Sequence, residues 1–133
     1  MTRFAVAAFL LLAGFATTGA TDQRSPDSRG AKVERSLDGL TPGAPLRCLR
    51  RGEANQIRSF GNSILYVAGR NRIWRNDVVG TCAGLARGDI VVTKSLGSDA
   101  CSGDLVQTRA ATGGMLTGSC SLGNFVPYTK EGK

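Results

Sequence analysis

SILYVAGRNRIWRND, residues 63–77, decides the fold class of this chain. Two short runs rich in Ile, Tyr, Val and Trp flank Gly69-Arg70-Asn71, a pattern that reads as a β-hairpin rather than a helix. With an even-numbered loop, Leu65, Val67, Arg72 and Trp74 share one face, and Ile64, Tyr66, Ile73 and Arg75 share the other. Apolar side chains on both faces put this hairpin at the centre of a sheet. Outward from it the same texture recurs: IRSF (57–60), DIVVTK (89–94), DLVQTR (104–109), GMLTG (114–118) and NFVPYT (124–129). Turn residues separate these runs at Gly61-Asn62, Gly97-Ser98 and Gly113-Gly114. The expected fold is all-β, a small antiparallel sheet or partly open barrel. TCAGLAR (81–87) supplies one short helical turn between strands.

Composition narrows the function before any site is sought. The 133 residues hold 17 Lys+Arg, 10 Asp+Glu, 18 Gly, four Cys and no His. A chain of this length has room for one ordinary domain, not a multidomain enzyme. The zero His count excludes imidazole-based catalysis and imidazole metal sites. So many glycines and so few long periodic stretches argue against a helical bundle.

The chain begins with an address. Met1-Thr2-Arg3 is followed by thirteen residues, Phe4–Ala16, without a charge, and then by the small residues Thr18-Gly19-Ala20. That is the layout of a secretory signal peptide over residues 1–20, and its apolar run is too short to span a bilayer comfortably. Cleavage near Ala20 would start the mature chain at Thr21 and leave no membrane span. Residues 21–45 are dense in charge, Ser, Gly and Pro, with only Val33, Leu37 and Leu40 as isolated large apolar residues. They read as a flexible charged leader, since a helix near Ala31–Leu37 would need a surface to pack on. The domain itself is expected over residues 46–130, with 131–133 as a tail.

Export changes the meaning of Cys48, Cys82, Cys101 and Cys120. In an oxidising compartment an even number of Cys in a small domain reads as disulfides. Zinc ligands usually come in close pairs, whereas these are 34, 19 and 19 residues apart, so a Cys₄ zinc site is disfavoured. Four Cys allow three connectivities, and the sequence does not choose among them. Our expectation is Cys48–Cys120 with Cys82–Cys101, the first tying the start of the domain to its last strands, the second closing a loop across DIVVTK.

The order Cys48…IRS…ILYV…IWRNDVVGTCAGL…Cys101-Ser-Gly-Asp104…GSCSLGNFVPY, over Leu46 to Tyr128, resembles a family of small exported bacterial proteins classed as a domain of unknown function. Its most specific pieces are Trp74-Arg75-Asn76 ahead of Cys82-Ala83-Gly84-Leu85, Cys101 with Asp104, and Cys120 with Leu122-Gly123 and Phe125. This chain has Trp74 where the pattern has Tyr, and Ala83 where it has Pro. The resemblance implies an exported four-cysteine domain and supplies no activity or site residue.

Catalytic chemistry finds little footing, and no catalytic residue, metal ligand or cofactor site is assigned. A nucleophile needs an activating base. Lys94 beside Ser95 is the one candidate pair, and adjacent strand residues point to opposite faces. The carboxylates Glu53, Asp77, Asp89, Asp99 and Asp104 mostly sit beside Gly, Asn or Ser, where Asp serves turns and caps. Asp99–Asp104 lacks the alternating oxygen ligands of a calcium loop. The remaining candidate is an anion-binding set of Arg58, Arg70, Arg72, Trp74 and Arg75, divided by strand alternation between two faces. Arg47, Arg50 and Arg51 read as a solvated turn.

These residues lead to an expected function: a non-enzymatic binding module of the bacterial envelope, periplasmic or secreted. Its partner would be an anionic envelope polymer or an acidic protein, with nucleic acid not expected after export. The alternatives are an inhibitor of an exported enzyme, acting through loop 95–103 or 110–119, and, less favoured, a small hydrolase.

Overall fold

The computed structural model describes residues 26–131. The expected signal peptide, its cleavage point near Ala20 and the last two tail residues lie outside the described residues. Twelve elements follow in order: α1 (Pro26–Ser36), β1 (Thr41–Pro42), β2 (Cys48–Leu49), β3 (Gln56–Phe60), β4 (Ser63–Val67), β5 (Arg72–Asp77), α2 (Ala83–Arg87), β6 (Ile90–Lys94), β7 (Ala100–Cys101), β8 (Leu105–Arg109), β9 (Leu116–Ser121) and β10 (Phe125–Thr129). One sheet has the order β1-β10-β5-β4-β3, a second the order β6-β8-β9, and β2 pairs with β7. Every ladder is antiparallel. The all-β expectation therefore holds, in its partly open form. The expected helical turn is α2, ended by Gly88, which has a φ of 78° that a residue with a Cβ would resist.

The central hairpin sets the layers, with a register different from the expected one. Tyr66 pairs with Trp74, Val67 with Ile73 and Leu65 with Arg75, because the loop beyond the Ala68 to Arg72 hydrogen bond holds an odd number of residues, Gly69-Arg70-Asn71. Ile64, Tyr66, Arg72 and Trp74 thus share one face, while Leu65, Val67, Ile73 and Arg75 share the other. All five residues of β4 are buried, as a central strand covered on both sides requires. The β3–β4 turn, by contrast, is the two-residue Gly61-Asn62 loop that the sequence marks, with Gly61 at a φ of 59°.

The first face builds the main core. Ile64, Tyr66, Trp74 and Phe125 meet Val106 and Cys120 of the second sheet, with Leu85 of α2, Leu49, Val78 and Leu122 filling the remainder. Tyr66 and Phe125 meet edge to face at 5.4 Å. Asn76, fully buried, is satisfied by the backbone of Gly123: its amide donates to the carbonyl at 2.8 Å and its oxygen accepts the N–H at 2.9 Å. A Cβ at Gly123 would collide with the backbone of Asp77, so glycine is required for this approach.

The other face corrects the expected flexible leader. Residues 26–36 form α1, and Val33 within it and Leu37 directly after it pack on Leu65, Val67 and Ile73. The apolar residues that seemed too sparse sit at i and i+4, one helical face, and the surface they need is the outer face of the β4–β5 hairpin. Pro26 suits the first helical position, where no intrahelical N–H is needed. Arg75 adds an ion pair to Glu34 at 3.1 Å. Thr41–Pro42 then extends the sheet beside β10. The folded unit thus begins at least as early as Pro26, not near residue 46.

The disulfides are Cys48–Cys101 and Cys82–Cys120, so the expected pairing is wrong. Cys48 and Cys101 face each other in the β2–β7 ladder, and Cys120 on β9 points into the core beside the start of α2, where Cys82 lies. Both Cys pairs are consumed, which removes the zinc alternative. Two disulfides point to an oxidising, extracellular type of environment. Among the described residues no helix is long and apolar enough to cross a membrane.

If α1 is a layer of the fold, Leu37→Ala should cost about 2–4 kcal/mol in denaturant unfolding. It should also make Lys32 and Arg35 cut early by trypsin under native conditions. Unchanged stability and unchanged cleavage would return α1 to the status of a loose leader.

Candidate functional site

The five expected anion-binding residues do not form one site. Trp74 is buried in the main core, and Arg72 lies over its ring, the guanidinium carbon 5.8 Å from the centroid. Arg75 is on the opposite face, held by Glu34 at 3.1 Å and Asp77 at 3.0 Å. Burial works against its charge, but the hydrogen bonds and attraction from those carboxylates outweigh it and raise its pKa. Arg58 and Arg70 share a shallow groove with Ser36 and Gln56, and Arg58 donates to the Gln56 side-chain oxygen at 3.0 Å. The division between two faces was legible; the residues facing each arginine were not.

The carboxylates hold structure. Asp77 accepts from Ser63 and Arg75, and Asp89 from Arg87 at 3.1 Å. Asp104 accepts the Cys101 N–H at 2.7 Å. The Ser95 hydroxyl, followed by that N–H, keeps its pKa below the usual carboxylate value.

A different region emerges where the barrel fails to close. On one side the sheets are joined by a bridge between Val79 and Ser121, with hydrogen bonds of 2.8 and 3.0 Å. On the other, β3 pairs only with β4 and β6 only with β8, so each leaves an edge without a partner strand. Between these edges runs a groove of about 420 Å³, walled by Ile57–Phe60 on one side and Gly88–Val91 on the other. Ile57 and Ile90 are each about half exposed there, at 49% and 51%.

Beside the groove lies a cavity of about 280 Å³ that shares Ile57 and Val91 with it. Leu49 and Ala54 add apolar wall, and Arg50 and Arg51 stand at the exposed turn on its rim. Tyr66 lines it from the core side, and its hydroxyl is buried without a hydrogen-bond partner. Burial raises the phenol pKa above its ordinary 10.0; Thr93 acts in the opposite direction without completing a hydrogen bond. A larger cavity of about 690 Å³ is lined by residues of α1 and α2; of its arginines, Arg75 and Arg87 are ion-paired and Arg29 is not, among the described residues. Sequence reading missed the seam because edge status depends on strand order. The only signal for it was the Arg50-Arg51 pair.

Searches of protein-family models, of curated proteins and of solved structures each found no match to this chain.

An unpartnered buried hydroxyl costs about 1–3 kcal/mol. Tyr66→Phe should therefore leave stability unchanged or raise it by up to about 1 kcal/mol in urea unfolding, and a clear loss would show a missed partner. Because the folded-state pKa is raised, the Tyr66 contribution is complete below pH 10.0 and is lost as pH rises through the higher folded value. The wild type should lose stability there more steeply than Tyr66→Phe.

Proposed function

We propose that this protein is an exported, non-enzymatic binding module of the bacterial envelope, periplasmic or secreted after cleavage near Ala20, and that it grips an anionic partner at the open seam between β3 and β6. The observation carrying this reading is the pair of adjoining depressions that share Ile57 and Val91, the groove between two unpaired sheet edges with Arg58 and the cavity with Arg50 and Arg51, none of these arginines being ion-paired among the described residues. Unpaired guanidinium groups beside a partly apolar groove offer an anion both attraction and desolvated surface. The two disulfides suit an oxidising compartment, and the resemblance to exported four-cysteine domains agrees with it.

A second reading, inhibition of an exported enzyme, draws on two exposed apolar tips. Leu96, between β6 and β7, is fully exposed, and Met115, between β8 and β9, is 74% exposed. Large apolar residues projecting from tethered loops suit insertion into another protein's cleft.

The charge reading is tested with polyglutamate as the anionic probe. R50E/R51E should weaken binding about tenfold or more at low salt and flatten its salt dependence, read by titration calorimetry at two ionic strengths. Equal affinity for wild type and variant would remove the seam as the anion site. Loss of binding in Leu96→Asp alone would favour the loop reading.

A further inference from the structure

Resting on that reading, we infer that the occupant of the seam is an extended acidic peptide that adds as a strand to the free edge of β3 or β6. The groove has backbone for walls: four consecutive residues, Ile57–Phe60, face four others, Gly88–Val91. The ladder hydrogen bonds of β3 go to β4 and those of β6 go to β8, so the outward N–H and C=O groups of each edge point toward the groove or solvent. Edges of this kind are usually blunted by Pro, a bulge or cover. Neither QIRSF nor IVVTK contains Pro, and the one bulge in this sheet lies between Thr108 and Arg109, on the β8–β9 side. α2 packs against both edge strands but leaves Ile57 and Ile90 half exposed.

Strand addition draws affinity from main-chain hydrogen bonds and specificity from alternate side chains. Ile57 and Val91 lie on the core side of their sheets, with Arg50 and Arg51 beside them toward the cavity. Arg58 and Ile90 lie on the opposite side. Each face of an added strand would thus meet apolar surface and a guanidinium, which together select a peptide that mixes apolar residues with carboxylates. Asp89 is ion-paired with Arg87 at 3.1 Å, and Asp99 accepts the Ser98 hydroxyl at 3.2 Å but keeps its charge. Against that one carboxylate stand Arg50, Arg51 and Arg58, so the rim charge open to a partner is on balance positive. A compact small molecule would use only the cavity over Tyr66 and leave both backbone walls empty, so the length of the groove favours a peptide.

The experiment uses the disulfide-bonded mature chain and a synthetic peptide alternating glutamate and valine, with a backbone N-methylated counterpart. Binding of the first should slow amide hydrogen exchange in Gln56–Phe60 or Ile90–Lys94, and N-methylation should weaken binding about tenfold or more through lost main-chain bonds. Equal affinity of the two peptides overturns strand addition. So does protection confined to residues 48–53; the anion reading would then survive, since R50E/R51E tests it separately. Edge protection that rises with protein concentration in the absence of peptide would assign the seam to a second copy of this chain and overturn the peptide.

Discussion

The structure depends on one constraint: β4 has no face that can meet water. Ser63-Ile-Leu-Tyr-Val67 is buried throughout, with Ile64 and Tyr66 on one side and Leu65 and Val67 on the other. Each fully buried side chain of this size stabilises the fold by about 1.5–3 kcal/mol, so both faces must be covered for the strand to be central. The second sheet covers one and α1 covers the other. A segment that is mostly charge, serine and glycine becomes a structural layer because two of its residues meet an apolar surface already prepared for them.

The same constraint explains where the covalent bonds lie. The layer over Tyr66 and Trp74 comes from a three-stranded sheet, too small to enclose the core unaided. Cys82–Cys120 ties α2 to β9 from within that core, and Cys48–Cys101 ties β2 to β7 at its edge. In the loop-entropy model, closing spans of 38 and 53 residues is worth about 4 kcal/mol each. Gly84 lets α2 settle against β8 and β9, since a Cβ there would collide with the hydroxyls of Thr108 and Thr117. The helix thereby plugs part of the gap that a further strand would otherwise close.

Local chemistry was legible in the residues; long-range order was not. Gly61-Asn62 named its own turn, and TCAGLAR its own helical turn, because both depend on neighbours in sequence. The loop at Gly69-Arg70-Asn71 left one parity to guess, and that single choice moved Trp74 from the face of Leu65 to the face of Tyr66. The Cys pairing failed for a related reason: Cys48 and Cys101 meet only because β2 and β7, 53 residues apart, form a ladder. The candidate site was still less visible. Arg58 and Arg70 were read as partners of Trp74, although Trp74 is enclosed, while Arg50 and Arg51 gain meaning only once β3 and β6 prove to be edge strands that face each other across a groove.

Part of the positive charge lies beside the same seam. The formal +7 suggests a basic surface everywhere. Yet Arg75 and Arg87 are ion-paired, and Arg109 is turned toward the Gly114 carbonyl at 3.1 Å. The arginines left to act on a partner include Arg50, Arg51 and Arg58, all beside the seam. Neither disulfide bridges β3 to β6, and the Val79–Ser121 link closes the opposite side. The covalent bonds therefore hold the core without fastening the gap, and three arginines without an ion pair among the described residues, Arg50, Arg51 and Arg58, stand beside the two strand edges that the fold has kept open.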